Sequence, residues 1–185
     1  MNATKGELRK TIKEAKKALT TEEKSEAARR CFANVEQCGE FAAAQRVLVY
    51  NSLPDEISTA AFIEKWHERK QLFLPRVNGD ELDILAFEPG QTEEGAFHIM
   101  EPTGDDCIDP MTLDLIIVPG VGFDRHGNRL GRGKGFYDRL LHNCRCPKIG
   151  VAYACQLLEA IPAEPHDVRM DAVVTDREIL RFSTK

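Results

Sequence analysis

The sequence lacks the long apolar segments of membrane proteins. None of its apolar runs approaches the roughly 20 residues that a transmembrane helix needs. Its first twenty residues alternate basic, acidic and small side chains, without the apolar centre of a secretory signal. We therefore expect a soluble, cytoplasmic protein that does not interact with membranes, and whose six cysteines are reduced thiols.

An excess of positive charge is lacking as well. The 30 aspartates and glutamates outnumber the 25 lysines and arginines, which gives a net charge of -5 at pH 7. Proteins that bind nucleic acids nonspecifically need a broad cationic surface. This balance argues against a nucleic-acid partner, so any site for an anionic ligand must be local.

The paired cysteine units of structural zinc sites are also missing. Cys144 and Cys146 lie near His142 in the stretch HNCRC, but a structural zinc ion needs four ligands and the sequence has no second cluster. We interpret these cysteines as ordinary thiols.

Helix and strand signals alternate along the chain. TKGE and TTEE, which begin at Thr4 and Thr20, are capping boxes that predict two N-terminal helices, ending near Leu19 and Gln37. Six short apolar runs then predict strands, and ISTAAFIEKWHERK has helical spacing. The runs are RVLVY, QLFLP, LDILAF, LDLIIVP, KIGVAY and DAVVTD.

This alternation predicts an α/β fold with three layers, a mostly parallel sheet with helices on both faces. Ligands of such folds bind beyond the carboxyl ends of the strands. The segment from Glu88 to Pro110 is rich in Gly, Pro and acids and is predicted to be a long loop. The length and the absence of repeats favour a single domain spanning residues 1–185.

The densest chemistry lies in PGVGFDRHGNRLGRGKGFYD, between Pro119 and Asp138. Glycines let the backbone approach a ligand closely, and interleaved arginines and a lysine supply positive charge. The stretch is neither a Walker A loop nor a dinucleotide fingerprint, because its glycine spacing differs from both. A plain turn with solvated arginines is the alternative, but the position between a buried strand and a helix favours an anion site. His126 is interpreted as a turn former in this stretch.

The extended stretch PGVGFDRHGNRLGRGKGFYDRLL resembles the signature of the 5-formyltetrahydrofolate cyclo-ligase family, also called methenyltetrahydrofolate synthetases. KGELR, YNSLPDEIST, LPRV and FHIMEP occur in the family's order along the rest of the chain. The resemblance implies conversion of 5-formyltetrahydrofolate and ATP into 5,10-methenyltetrahydrofolate, ADP and phosphate, with Mg²⁺ as cofactor. It also implies a fold related to the ribose-phosphate isomerase and coenzyme A transferase class.

The resemblance further implies roles for individual residues. Arg132 and Lys134 would be catalytic, through stabilisation of charge on the transferred phosphoryl group. The ATP-binding residues would be Lys5, Arg9, Arg129, Gly131, Arg132, Gly133, Lys134, Gly135 and Tyr137. The folate would contact Asn51, Glu56, Arg76, Phe97, Phe136 and Tyr137, and the metal would be held by Asp138 and Asp171.

The residues alone leave simpler interpretations open. Lys5 and Arg9 fit one face of a solvated helix, and Glu56 could complement the dipole of the helix that follows it. Phe136 and Tyr137 could be core residues. Asp138 and Asp171 could be a first-turn acid and a turn residue.

Two other functions also stay open at this point. A noncatalytic nucleotide-binding or RNA-binding module could use the basic loop, and a sugar-phosphate isomerase or acyl-transferase relative would share the fold. We expect an enzyme with ATP and 5-formyltetrahydrofolate as its small-molecule partners, acting as a monomer.

Overall fold

Two capped helices open the chain in the computed structural model, which describes residues 3–182. Helix α1 spans Lys5–Lys17 and helix α2 spans Thr21–Glu36, and both predicted capping boxes are formed. In the first, the hydroxyl of Thr4 accepts the Glu7 N–H at 3.2 Å and the Glu7 carboxylate accepts the Thr4 N–H at 2.8 Å. These reciprocal bonds satisfy N–H groups that a helix leaves free at its start. The predicted helices are confirmed.

Three shorter α-helices and twelve strands follow within the described residues. The helices are α3 (Gly39–Ala43), α4 (Ala60–Trp66) and α5 (Phe136–His142). The strands are β1 (Arg46–Leu48), β2 (Gln71–Asn78), β3 (Glu81–Ala86), β4 (Thr92–Glu94), β5 (Met100–Pro102), β6 (Leu115–Val118), β7 (Gly122–Asp124), β8 (Arg129–Leu130), β9 (Lys148–Ala152), β10 (Leu157–Leu158), β11 (Ala172–Thr175) and β12 (Ile179–Arg181).

A seven-stranded sheet in the order β12-β11-β9-β6-β1-β2-β3 forms the centre of the fold. The strands from β11 to β2 are parallel, and the two edge strands, β12 and β3, run antiparallel to their neighbours. All six strands that the sequence predicts lie in this sheet. A mostly parallel α/β fold is therefore confirmed, whereas its relationship to the isomerase and transferase class stays a prediction.

Both faces of the sheet are covered, because side chains of successive strand residues point to opposite sides. Val47 and Val49 pack with α2, α3 and α4 in one apolar cluster. Leu48, between them, belongs to a second cluster that contains Leu140 and Leu141 of α5. Burial on both faces explains why the central strands are continuous apolar runs rather than alternating ones.

A small sheet in the order β10-β7-β8 was missed by the sequence analysis, and it lies within and beside the glycine-rich stretch. Asp124 organises the β7–β8 turn, since its fully buried carboxylate accepts hydrogen bonds from the backbone N–H groups of His126, Asn128 and Ile161. The Asn128 side chain donates a further bond to it at 2.8 Å. These bonds hold His126 in a tight turn.

The predicted loop from Glu88 to Pro110 is partly wrong. Strands β4 and β5 pair antiparallel there and form a hairpin, called here the flap (residues 92–102). Each strand is only three residues long, so neither gives a period that a sequence pattern can detect. Phe97 and His98 at the tip have positive φ angles of 59° and 58°. Within residues 3–182, every helix is too short or too polar to cross a membrane.

Phe123 of β7 joins the small sheet to the main sheet. Its ring is fully buried and lies against two glycines, Gly120 after β6 and Gly150 in β9. A Cβ atom built on Gly150 would come within 2.4 Å of the ring, and one on Gly120 within 2.7 Å. The absence of side chains at these two positions thus lets the glycine-rich stretch dock on the strands.

We predict that Gly150→Ala lowers the free energy of unfolding by about 1–3 kcal/mol, the usual cost of overpacking a core. Gly39→Ala is the matched control, because a Cβ there meets no atom within 4 Å and Gly39 begins helix α3. Urea unfolding of both variants measures the difference. Equal stability of the two would contradict a tight contact at Phe123.

Candidate active site

A cleft of about 440 Å³ opens at the carboxyl ends of strands β1 and β6. This is the edge of a parallel sheet where α/β proteins bind their ligands. Three parts of the chain surround it, namely the segment after β1, the glycine-rich stretch with the start of α5, and the flap. The lining residues are Tyr50, Asn51, Leu53, Asp55, Glu56, Pro75, Val77, Leu82, Phe97, Ile99, Glu101, Pro119, Gly120, Val121, Arg129, Gly131, Arg132, Lys134, Gly135, Phe136, Tyr137 and Asp138.

Glycines shape the loop from Gly131 to Gly135, which forms one wall of the cleft. Gly133 and Gly135 have φ angles of 95° and 73°, a region that other residues rarely adopt. Gly135 is the residue that precedes α5. The loop is also held from behind, since Arg9 of α1 donates from Nε to the carbonyl of Gly131 at 2.9 Å. Arg9 therefore contacts the predicted phosphate loop without lining the cleft.

Arg129 brings a buried positive charge to the cleft. Its Nη2 donates to Oδ1 of Asp138 at 2.8 Å, and its Nη1 donates to the carbonyl of Pro119 at 3.3 Å. Its Nε is buried and has no hydrogen-bond partner among the described residues. The guanidinium also lies 5.6 Å from the ring centre of Tyr137. Burial raises the pKa of Tyr137, so its hydroxyl stays neutral at ordinary pH.

Arg132 connects the glycine-rich loop to the segment after β1. Its Nη2 donates to Oδ1 of Asp55 at 2.6 Å and to Oε1 of Glu56 at 3.2 Å. The other oxygen of Glu56 accepts the backbone N–H of Leu53 at 2.9 Å. Two residues predicted for different ligands, Arg132 for ATP and Glu56 for folate, are therefore in direct contact. Asp55 was missed by the sequence analysis, where only its position beside Glu56 in LPDEIS could have indicated it.

Lys134 connects the same loop to the flap. Its ammonium nitrogen lies 4.3 Å from the ring centre of Phe97, within the range of a cation–π interaction. The amide of Asn51, in the segment after β1, donates to the carbonyl of Met100 at 2.9 Å. The flap thus contacts both the glycine-rich loop and the segment after β1, and Phe136 adds a further aromatic ring to the lining.

Glu101 is a second carboxylate that the sequence analysis missed. It lies on the flap, is 7% exposed, and accepts the backbone N–H of Val77 at 3.2 Å. Gly95 makes room for it, since a Cβ on that glycine would lie 2.1 Å from the carboxylate. The cleft therefore has carboxylates on two sides, from Glu56 and from Glu101.

Arg76 does not reach the cleft. Pro75 and Val77 line it, and because strand side chains alternate, Arg76 points to the other side of the sheet. There it donates to the carbonyl of Gly104 at 2.6 Å and to Asp83 at 3.2 Å. These contacts support a structural role in place of the predicted substrate contact.

Asp171 is not brought together with Asp138. It immediately precedes β11, at the amino ends of the parallel strands, whereas the cleft lies at their carboxyl ends. Its carboxylate accepts the backbone N–H of Lys148 at 2.8 Å, and its own N–H donates to the Lys148 carbonyl at 2.9 Å. The idea that both aspartates share one strand-end crevice therefore needs correction, and Asp171 serves to align the starts of β9 and β11.

Lys5 is the first residue of α1 and does not line the cleft. Its ammonium donates to Glu164 at 3.1 Å and to Asp167 at 3.0 Å. Together with His166, these two acids offer ligand atoms within 4.8 Å of one another. Lys5 already bonds to both acids, so the group gives no independent indication of a metal.

The fold and the cleft define a class, an α/β protein with a cleft at the carboxyl ends of its parallel strands that is lined by cations of a glycine-rich loop. Residues 1–176 match the model of the 5-formyltetrahydrofolate cyclo-ligase family. The 5-formyltetrahydrofolate cyclo-ligase of Escherichia coli K12 is 33% identical over 178 residues, which are 91% of this chain and 98% of the relative. That of Mus musculus is 29% identical over 191 residues and covers 94% of each chain.

Two solved structures agree with these relatives. The NMR structure of Aquifex aeolicus 5,10-methenyltetrahydrofolate synthetase is 35% identical, with a TM-score of 0.89, and covers 98% of this chain and 94% of that one. The Mycoplasma pneumoniae 5,10-methenyltetrahydrofolate synthetase is 27% identical, with a TM-score of 0.76, and covers 95% and 100%. The chain belongs to the 5-formyltetrahydrofolate cyclo-ligase family. It is therefore an enzyme that converts 5-formyltetrahydrofolate to 5,10-methenyltetrahydrofolate, with ATP as the family's co-substrate.

Proposed function

We propose that ATP and 5-formyltetrahydrofolate bind side by side in the cleft, and that the formyl oxygen attacks the γ-phosphorus of ATP. The observation that carries this proposal is the contact of Arg132 with Glu56. It joins the glycine-rich loop, which is suited to phosphates, to a carboxylate that is suited to the folate. The two ligands can then meet at Arg132. Two reactants held in this way react as one bound complex, which removes much of the entropic barrier.

The reaction needs the phosphate because a formyl oxygen is a poor leaving group. A new bond from that oxygen to phosphorus forms as the bond from the γ-phosphorus to ADP breaks, and ADP leaves with the electron pair. The neighbouring folate nitrogen then attacks the formyl carbon and loses its proton to solvent. Inorganic phosphate departs with the original oxygen, which leaves the cyclic methenyl product.

Arg132 and Lys134 are the catalytic residues in this proposal. Negative charge is spread over the phosphoryl oxygens during transfer, and fixed cations that face those oxygens lower the barrier. Both side chains line the cleft from the loop between Gly131 and Gly135. The backbone of that loop is exposed by its glycines and can bring N–H groups close to the phosphates.

Other cations extend the ATP site. Arg129 supplies a buried charge whose Nε–H has no partner among residues 3–182, and such a donor favours a ligand acceptor. Arg9 is next to the loop, and a Cβ on Gly133 would lie 3.8 Å from its guanidinium. Lys5 is one helical turn before Arg9. Its ammonium can leave Glu164 and Asp167 and bind a phosphate of ATP instead.

The folate site lies between the segment after β1 and the flap. The pterin ring carries N–H donors, and the Glu56 carboxylate is an acceptor for them. Phe97, Phe136 and Tyr137 offer ring faces for stacking. Asn51 adds an amide carbonyl near the flap.

Magnesium fits this site through Asp138. One carboxylate oxygen is bonded to Arg129, and the other has no protein hydrogen-bond partner among residues 3–182. Because Mg²⁺ is usually held by one or two carboxylates together with phosphate oxygens, a single aspartate at the phosphate loop is sufficient. The ion would supply further positive charge next to the ATP phosphates.

We also propose that the enzyme is a cytoplasmic monomer. One chain supplies all three parts of the cleft, so a second copy is not needed to complete it. All six cysteines are free thiols, which suits a reducing compartment.

We predict that Lys134→Ala lowers turnover by about 10²- to 10³-fold, because it removes a charge that acts mainly in the transition state. The exposed Lys13→Ala on α1 is the control and should keep wild-type turnover. The rise in methenyltetrahydrofolate absorbance with ATP, magnesium and substrate measures both. Wild-type turnover of Lys134→Ala would remove this lysine from the phosphate site.

Glu56→Gln should weaken binding of 5-formyltetrahydrofolate by about 1–3 kcal/mol, the value of a charge-assisted hydrogen bond, while ATP affinity changes little. Isothermal titration of each ligand separately tests this expectation. Glu64→Gln, at an exposed position of α4, controls for the loss of a carboxylate. Equal losses for both ligands would instead mean that Glu56 is needed to support the loop.

Asp138→Asn should raise the magnesium concentration needed for half-maximal rate, because it keeps an oxygen ligand but removes its charge. Excess magnesium should then restore part of the rate. Asp171→Asn is the matched control, and its magnesium curve should superimpose on that of the wild type. We would measure rate against magnesium at saturating ATP. A shift for Asp171→Asn alone would reverse the assignment of the two aspartates.

A further inference from the structure

Lys16 is a buried lysine for which the proposed reaction has no direct use. It lies near the end of α1, is 5% exposed, and does not line the cleft. Its ammonium donates to the backbone carbonyl of Asp55 and to Oδ2 of the same residue, both at 2.8 Å. A buried ammonium is costly unless it is paired, so this side chain is fixed to Asp55.

Asp55 uses its two carboxylate oxygens for two different cations. Oδ2 accepts from Lys16, and Oδ1 accepts from Arg132 at 2.6 Å. Burial alone would raise the pKa of Asp55, but the hydrogen bonds from Lys16 and Arg132 outweigh it and lower the pKa below its usual value. Asp55 therefore stays ionised and forms a continuous connection from α1 to the glycine-rich loop.

The connection holds Arg132 by one nitrogen. Nη2 is bonded to Asp55 and Glu56, whereas Nε and Nη1 have no hydrogen-bond partner among the residues that the structure describes. A guanidinium has five N–H donors in a rigid plane, so fixing one nitrogen fixes the direction of the others. The remaining donors are then available to phosphoryl oxygens.

Asp55 also limits the pairing of Arg132 with Glu56. The bond to Asp55 is the shorter of the two. Without Asp55, Arg132 would keep Glu56 as its carboxylate partner and compete with the folate for it. A carboxylate fixed by a buried lysine thus keeps Arg132 in place while Glu56 exchanges to the substrate.

We propose that Lys16 and Asp55 are positioning residues that hold Arg132 for phosphoryl transfer. This inference rests on the proposed role of Arg132 in the cleft. Lys16 acts only through Arg132, so its effect must vanish when Arg132 is absent. A lysine that merely stabilises the fold has the same effect with or without Arg132.

The test is a double-mutant cycle with Lys16→Met, Arg132→Ala and the double variant. Methionine keeps an unbranched, apolar side chain in the buried position but removes the charge. We expect Lys16→Met to lower kcat about ten- to hundredfold, the scale of a small misplacement of a reacting group, with a smaller change in the KM for ATP. The double variant should have the kcat of Arg132→Ala.

Lys13→Met on the same helix is the matched control and should keep wild-type kcat. Asp55→Asn, taken through the same cycle, decides the question independently if Lys16→Met does not fold. Thermal unfolding of each variant separates loss of folded protein from loss of rate.

Two results would overturn the positioning role. One is a kcat within twofold of the wild type for Lys16→Met and Asp55→Asn; the other is a double variant in which the two losses multiply, since independent effects on the barrier add. Wild-type turnover of Arg132→Ala would instead reject the proposed function itself. Low turnover of Arg132→Ala with multiplying losses rejects only the positioning role.

Discussion

Like charges concentrated in one loop repel each other, and the cleft depends on how that repulsion is balanced. Arg129, Arg132 and Lys134 lie within six positions of the chain, in a segment that is rich in glycine. Each cation has its own partner. Asp138 pairs with Arg129, Asp55 and Glu56 pair with Arg132, and the ring of Phe97 lies beneath Lys134.

These partners also determine which parts of the fold surround the cleft. The pair with Asp55 brings in the segment after β1, and the contact with Phe97 brings in the flap. Helix α1 stabilises the arrangement from behind, where Arg9 holds the Gly131 carbonyl and Lys16 holds Asp55. A site that is built before its ligands arrive does not have to reorganise during the reaction, which is the main advantage of electrostatic preorganisation.

The sequence predicted what short-range patterns determine. The capping boxes at Thr4 and Thr20, the six main strands and the glycine-rich loop each depend on residues close together in the chain. The family resemblance was carried by the same local motifs. Asp171 shows where such reasoning ends, because a residue beside a strand can lie at either end of the sheet. Only the direction of the strand decides which end it is, and β11 begins immediately after Asp171.

The missed residues share one property, which is that their partners are distant in sequence. Lys16 and Asp55 are 39 positions apart, and Asp55 and Arg132 are 77 apart. Lys16 is four positions after the buried Ile12, so helical spacing places it on the apolar face of α1, but the spacing does not indicate which group pairs with its charge. The cost of that burial is balanced only when the sheet has brought the segment after β1 under α1. Tertiary structure therefore selects which of several similar lysines becomes the buried partner of Asp55. Lys13 and Lys17 on the same helix stay exposed.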